Sequence, residues 1–194
     1  MNNKMIIGGL GLIVIVLAVF LLSGSSTKDK LIGSWLSIDS GELWKINEDG
    51  TDEGGASTPI FFDLDLADFD YDVPGVKGEG TWTLSEDEKT LTSTFKFDKD
   101  LTDLMLESGG AAEMGMGSDG TMKVILEITS IEDDKFCGTS YLETMPNDKT
   151  KECYKRITDE EYSTATKGWV DMNEFFREMI SIMIEMEMRG DIYR

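Results

Sequence analysis

Asp63, Asp65, Asp68, Asp70 and Asp72 recur at steps of two and three, the densest set of cation-type ligands in the chain. From Asp68 the stretch DFDYDVPGVKGE places oxygens where a calcium loop needs them: Asp68, Asp70 and Asp72 at positions one, three and five, and Glu79 at position twelve. The match is partial. Val73 occupies the place where such a loop requires glycine for its sharp turn, Gly75 comes two residues late, and no helical pattern flanks the stretch. A solvated acidic loop is the competing reading. Beyond these aspartates little reactive chemistry is on offer. The chain contains no histidine, which removes the commonest general base, the commonest imidazole metal ligand and every Ser-His or Cys-His nucleophile arrangement. Paired carboxylates could suit a glycosidase, but 38 Asp and Glu residues bring two together by composition alone. No catalytic residue and no cofactor are therefore assigned, and a non-enzymatic protein is expected.

The same acids dominate the charge. Eighteen Lys and Arg against 38 Asp and Glu leave a net charge of −20 over 194 residues and a pI near 4.2. Such a chain repels nucleic-acid phosphates, so a nucleic-acid partner is excluded, and its length accommodates one domain with appendages.

The two cysteines offer a different chemistry. Cys137 and Cys153 flank the turn-like stretch ETMPNDK, and a reversal centred on Met145 sets them opposite each other on antiparallel strands. A disulfide there implies an oxidising, extracytoplasmic compartment. Residues 5–22, MIIGGLGLIVIVLAVFLL, agree with it: eighteen uncharged residues span about 27 Å as a helix, close to the hydrocarbon thickness of a bilayer. They read as an uncleaved transmembrane anchor. A cleaved signal peptide is the alternative, with Lys4 as its positive region and Ser23-Gly24-Ser25 as a small-residue cleavage site. The division expected is an anchor or signal over 1–22, a linker over 23–30, a β domain over 31–157 and a helical segment over 158–194.

In the β domain, short runs alternate in polarity between turn residues. Met122, Val124, Leu126 and Ile128 share one face of TMKVILEITS, and Leu91, Phe95 and Phe97 one face of TLTSTFKF. The pattern predicts eight strands, near 33–39, 42–47, 59–65, 79–84, 90–97, 121–130, 134–143 and 150–157. Eight consecutive strands with short reversals predict an all-β, eight-stranded antiparallel up-and-down barrel, since closure removes exposed edges; a sandwich is the alternative.

Leu31-Ile32-Gly33-Ser34-Trp35, then Gly41 to Thr51 with its Asp49-Gly50-Thr51 turn, resembles the opening of the small lipocalin-like domains of bacteria and archaea. Gly80-Thr81-Trp82-Thr83-Leu84 is similar to their mid-domain G-x-W-x-L run, and Cys153-Tyr154-Lys155-Arg156-Ile157 to their closing strand. The resemblance spans Leu31 to Ile157 and implies a lipocalin-like barrel in which Arg156 lies over Trp35. A guanidinium on an indole face gains cation–π attraction there and plugs the narrow end, a structural role.

A barrel of this size either fills itself with side chains or holds one small ligand. The expected ligand-lining residues are Trp44, Trp82, Leu84, Phe95, Phe97, Met122, Val124, Leu126 and Phe136, with Ile46 and Leu142. They are also what a solid core would contain. The glycine-rich stretch between the fifth and sixth strands reads as a mobile lid carrying Leu104, Met105, Met114 and Met116, or as a disordered surface insertion. After the capping box Thr158-Asp159-Glu160-Glu161, a second helix starts at Asp171. Met172, Phe175, Phe176, Met179, Ile180, Met183 and Met186 make it an amphipathic helix with a methionine-rich face. That face covers the barrel, or docks a protein partner or a second copy. The function expected is a membrane-anchored extracytoplasmic binding module for a small apolar ligand or an envelope partner. The alternative is a structural domain with a filled barrel.

Overall fold

The structure, a computed structural model, describes residues 26–56 and 75–189, with the side chains at 108, 113 and 182–189 excepted. A short helix, α1 (Thr27–Leu31), leads into eight strands: β1 (Gly33–Ser37), β2 (Leu43–Ile46), β3 (Thr51–Ala56), β4 (Val76–Leu84), β5 (Thr90–Lys96), β6 (Thr121–Ile131), β7 (Lys135–Leu142) and β8 (Thr150–Ile157). Each pairs antiparallel with the next, and β8 returns to β1, so the sheet closes as an eight-stranded up-and-down barrel. Helices α2 (Lys99–Ser108) and α3 (Gly110–Glu113) lie between β5 and β6. After the barrel come α4 (Asp159–Ala165), a two-residue strand β9 (Val170–Asp171) and α5 (Met172–Arg189).

Alternation fixes which residues face in. Trp35 stands opposite both Trp44 and Arg156, Phe95 opposite Gly80 and Met122, and Tyr154 opposite Phe136 and Ser37. The lower half of the barrel is solid: Leu31, Trp35, Ile46, Leu91, Leu126 and Phe136 are at most 1% exposed. Phe136 meets Trp35 edge-on at 4.6 Å and stacks on Tyr154 at 4.7 Å. Arg156 shuts this end. Its Cζ lies 4.2 Å from the Trp35 ring centre, while its nitrogens donate to the carbonyls of Lys30, Ile32 and Asp133. Gly33 has φ +137°, and a Cβ there would collide with Arg156 Nη1, so the glycine of the G-x-W run makes room for the arginine.

The other end is covered on one side by helices. Phe97, Leu101, Met105, Met114, Met116 and Phe176 are buried in a second cluster that joins α2, α3 and α5 to the ends of β5 and β6. β5 pairs only with Gly80–Leu84 of β4; β9 adds in parallel to Val76 and Lys77 beyond it and delivers α5 to that side. Asp171 caps α5, its Oδ1 accepting the amides of Asn173 at 2.9 Å and Glu174 at 3.3 Å. Its Met172, Phe175 and Phe176 are buried, and Met179 and Ile180 pack against the same cluster. The Thr158–Glu161 capping box forms as expected and starts α4.

The expectations need correction in several places. The third strand of the barrel is Thr51–Ala56, and the strand expected at 59–65 lies outside the described residues. β4 begins at Val76 rather than 79 because β3 pairs with it as far as Ala56. The stretch expected to be a lid or a disordered insertion is helical and inward-packed: Met105, Met114 and Met116 are buried, and Leu104 alone of the four is exposed. Part of the expected linker is α1, whose own capping box joins Ser26 and Asp29. The apolar run at 5–22 lies outside the described residues, and among the described residues no helix is long and apolar enough to cross a membrane.

Candidate functional site: the open end of the barrel

Above the solid half lies a cavity of about 460 Å³, within the roughly 300–1,000 Å³ of small-molecule sites. Its apolar lining includes Trp44, Phe95, Met122, Val124, Leu142 and Met172. The space exists because the residues facing in at this level are small: Gly54 on β3, Ser93 on β5 and Ser140 on β7. At Gly80 a Cβ would lie 2.8 Å from Asp52 Oδ1 and 3.1 Å from the Phe95 ring, so the bare backbone lets both pack against β4.

Acidic groups surround this space. Glu152 lies on β8 two residues before Tyr154 and therefore on the same inward face, where the Tyr154 hydroxyl donates to it. Glu42 stands two residues before Trp44, and its carbonyl accepts the Ser37 amide at 2.8 Å. Both carboxylates line the cavity, one on each side of β1, with Asp148 at the rim. Burial pushes the Glu42 carboxyl above the usual glutamate range, Glu152's charge pushes the same way, and a hydrogen bond with Ser40 opposes them. Burial also drives the Tyr154 hydroxyl well above the usual tyrosine range, with the charge and hydrogen bond of Glu152 adding to it.

Asp52 lies below, 1% exposed. Its Oδ2 accepts Trp44 Nε1 at 2.9 Å and the Ser93 hydroxyl, while its buried Oδ1 has no hydrogen-bond partner among the described residues. Burial raises its proton affinity, and the two donors partly offset that. Trp44 and Ser93, which bind this carboxylate, themselves line the cavity.

The expected lining residues divide. Trp44, Phe95, Met122, Val124 and Leu142 line the cavity; Ile46, Trp82, Leu126 and Phe136 belong to the solid half, with Leu84 packed against it; and Phe97 is in the helix-covered cluster. Cys137 and Cys153 pair across β7 and β8 as a disulfide, Cα to Cα 4.1 Å. Asp68, Asp70 and Asp72 lie outside the described residues, and Glu79 is exposed on β4 opposite Glu53. Among the described residues no group of three or more acidic or cysteine side chains is placed to hold a metal ion. Glu42, Asp52, Glu152 and Tyr154 were not assigned from sequence; only the register of β2, β3 and β8 separates them from the chain's many surface acids. No protein-family model and no curated protein sequence matches this chain.

Proposed function

We propose that the protein is a non-catalytic binding module for a small apolar ligand, held outside the cytoplasm by its amino-terminal apolar segment, with a barrel of the lipocalin-like kind. The observation that carries the reading is the cavity of about 460 Å³ at the unfilled end, walled by Trp44, Phe95, Met122, Val124 and Leu142. The Cys137–Cys153 bridge supports an oxidising compartment, and residues 5–22 have the length and polarity of a membrane anchor. The Gly33, Trp35 and Arg156 unit supports the family resemblance, since the three positions constrain one another sterically. A non-catalytic role agrees with a chain that has no histidine.

The test is saturable uptake of the neutral dye N-phenyl-1-naphthylamine. The parent chain is expected to bind it, and Val124→Trp and Ser140→Phe, which fill the cavity, are expected to lose it while melting at an unchanged temperature. Absence of uptake, or uptake indifferent to both substitutions, would overturn the reading in favour of a structural domain.

A further inference from the structure

We propose that the ligand of this cavity is an amphipathic organic cation, an aromatic or alkyl body bearing a protonated amine, with the ammonium held between Glu42 and Glu152. The inference rests on the binding reading above and narrows it.

Strand register turns both carboxylates inward. Ser37, at the end of β1, pairs with Tyr154 and donates its amide to the Glu42 carbonyl, which places Glu42 and Glu152 on the two strands flanking β1. Burial raises the proton affinity of Glu42, and the charge of Glu152 adds to it, so the two carboxyls share one field. Among the described residues, no lysine or arginine lines the cavity, although the chain has eighteen. Lys149, next in sequence to the cavity-lining Asp148 and Thr150, lies 4.3 Å from the centre of the Tyr141 ring and is bound at 2.9 Å to Glu127, which pairs with the Thr90 and Thr139 positions.

A second, independent feature points the same way. Asp52 is buried in the barrel interior, bonded to the cavity-lining Trp44 and Ser93, with one oxygen unpartnered among the described residues. Glu42 and Glu152 thus line an apolar chamber, with Asp52 bonded to two of its lining side chains, and low-dielectric walls focus the field of a carboxylate there. The Trp44 and Tyr154 rings stand 5.8 Å apart, supplying aromatic faces that also favour a cation. The same field repels a fatty-acid carboxylate. The ligand's apolar body is left to Phe95, Met122, Val124, Leu142 and Met172.

The experiment compares phenylbutylamine, phenylbutanol and phenylbutyrate, which share one body and differ in charge, by calorimetry on the full chain. The amine is expected to bind on the order of tenfold more tightly than the alcohol, with the butyrate weakest. Glu42→Gln and Glu152→Gln, which keep the side-chain shape and an acceptor for the Tyr154 hydroxyl, should each weaken amine binding, and the double variant should abolish the amine's advantage while leaving alcohol binding unchanged. An alcohol that binds as well as the amine, or a double variant that keeps the preference, would overturn the inference while the binding reading stands. Failure of all three probes and of the neutral dye would overturn both.

Discussion

The two ends of this barrel are built from the same eight strands, yet one is solid and the other hollow. At the solid end, the inward positions carry Trp35, Ile46, Leu91, Leu126 and Phe136, none more than 1% exposed. A few residues further along the same strands, the inward positions are Ser93, Val124, Ser140 and Glu152. Strand number sets the diameter, and side-chain volume decides where the interior fills. The difference extends to charge. At the solid end Arg156 is spent on three backbone carbonyls and an indole, whereas at the hollow end carboxylates line the cavity with no basic side chain beside them among the described residues.

Truncating each end in turn is the severest challenge to that contrast. Phe136→Ala should cost about 3–5 kcal/mol in urea denaturation, since three aromatic partners and a closed end leave no route to collapse. Val124→Ala, which borders space already empty, should cost about 1 kcal/mol or less. Equal losses would erase the distinction. Reducing the disulfide, whose cysteines are 16 residues apart, should lower stability by about 3 kcal/mol, read by the same denaturation with and without reductant.

Arg156→Met keeps the packing volume but strips donors from the Lys30, Ile32 and Asp133 carbonyls, and should destabilise by about 2 kcal/mol. Arg156→Lys should recover less than half of that, because one ammonium cannot span a planar set of three acceptors. The smallest effect belongs to the acidic end. Glu42 has its proton affinity raised by folding, so its contribution to stability is fully present below the ordinary glutamate value of 4.5 and lost as pH rises through the elevated folded value. Glu42→Gln should therefore gain on the parent as pH is raised from about 4.5 to neutrality. A difference between variant and parent that does not change over that range would place Glu42 in a solvated setting instead.

Much of the barrel was legible because half-buried strands write their faces into the sequence every second residue. TMKVILEITS and TLTSTFKF show it plainly, and the cysteine pairing followed from the turn between them. β3 was not legible: TDEGGA has no apolar face, and its inward residues, Asp52 and Gly54, are a buried acid and a bare backbone. The segment after β5 was misjudged for a related reason. Glycines at 109, 110, 115, 117 and 120 suggest a loop, but Leu101 and Met105, one helical turn apart, are both buried. The acidic interior was hidden by abundance. With 38 acids in the chain, only their places two residues before the inward Tyr154 and Trp44 mark Glu152 and Glu42 as inward.

The disulfide has a further consequence. Cys137 and Cys153 form one rung of the β7–β8 ladder, and the adjacent rungs are Gly138 with Glu152 and Phe136 with Tyr154. A slip of a single residue along that hairpin would swing Glu152 and Tyr154 out into water and draw their neighbours Lys151 and Lys155 into the lumen, reversing its polarity. The covalent rung forbids that slip. Oxidation thus acts as a register pin, committing the hairpin to an acidic lining.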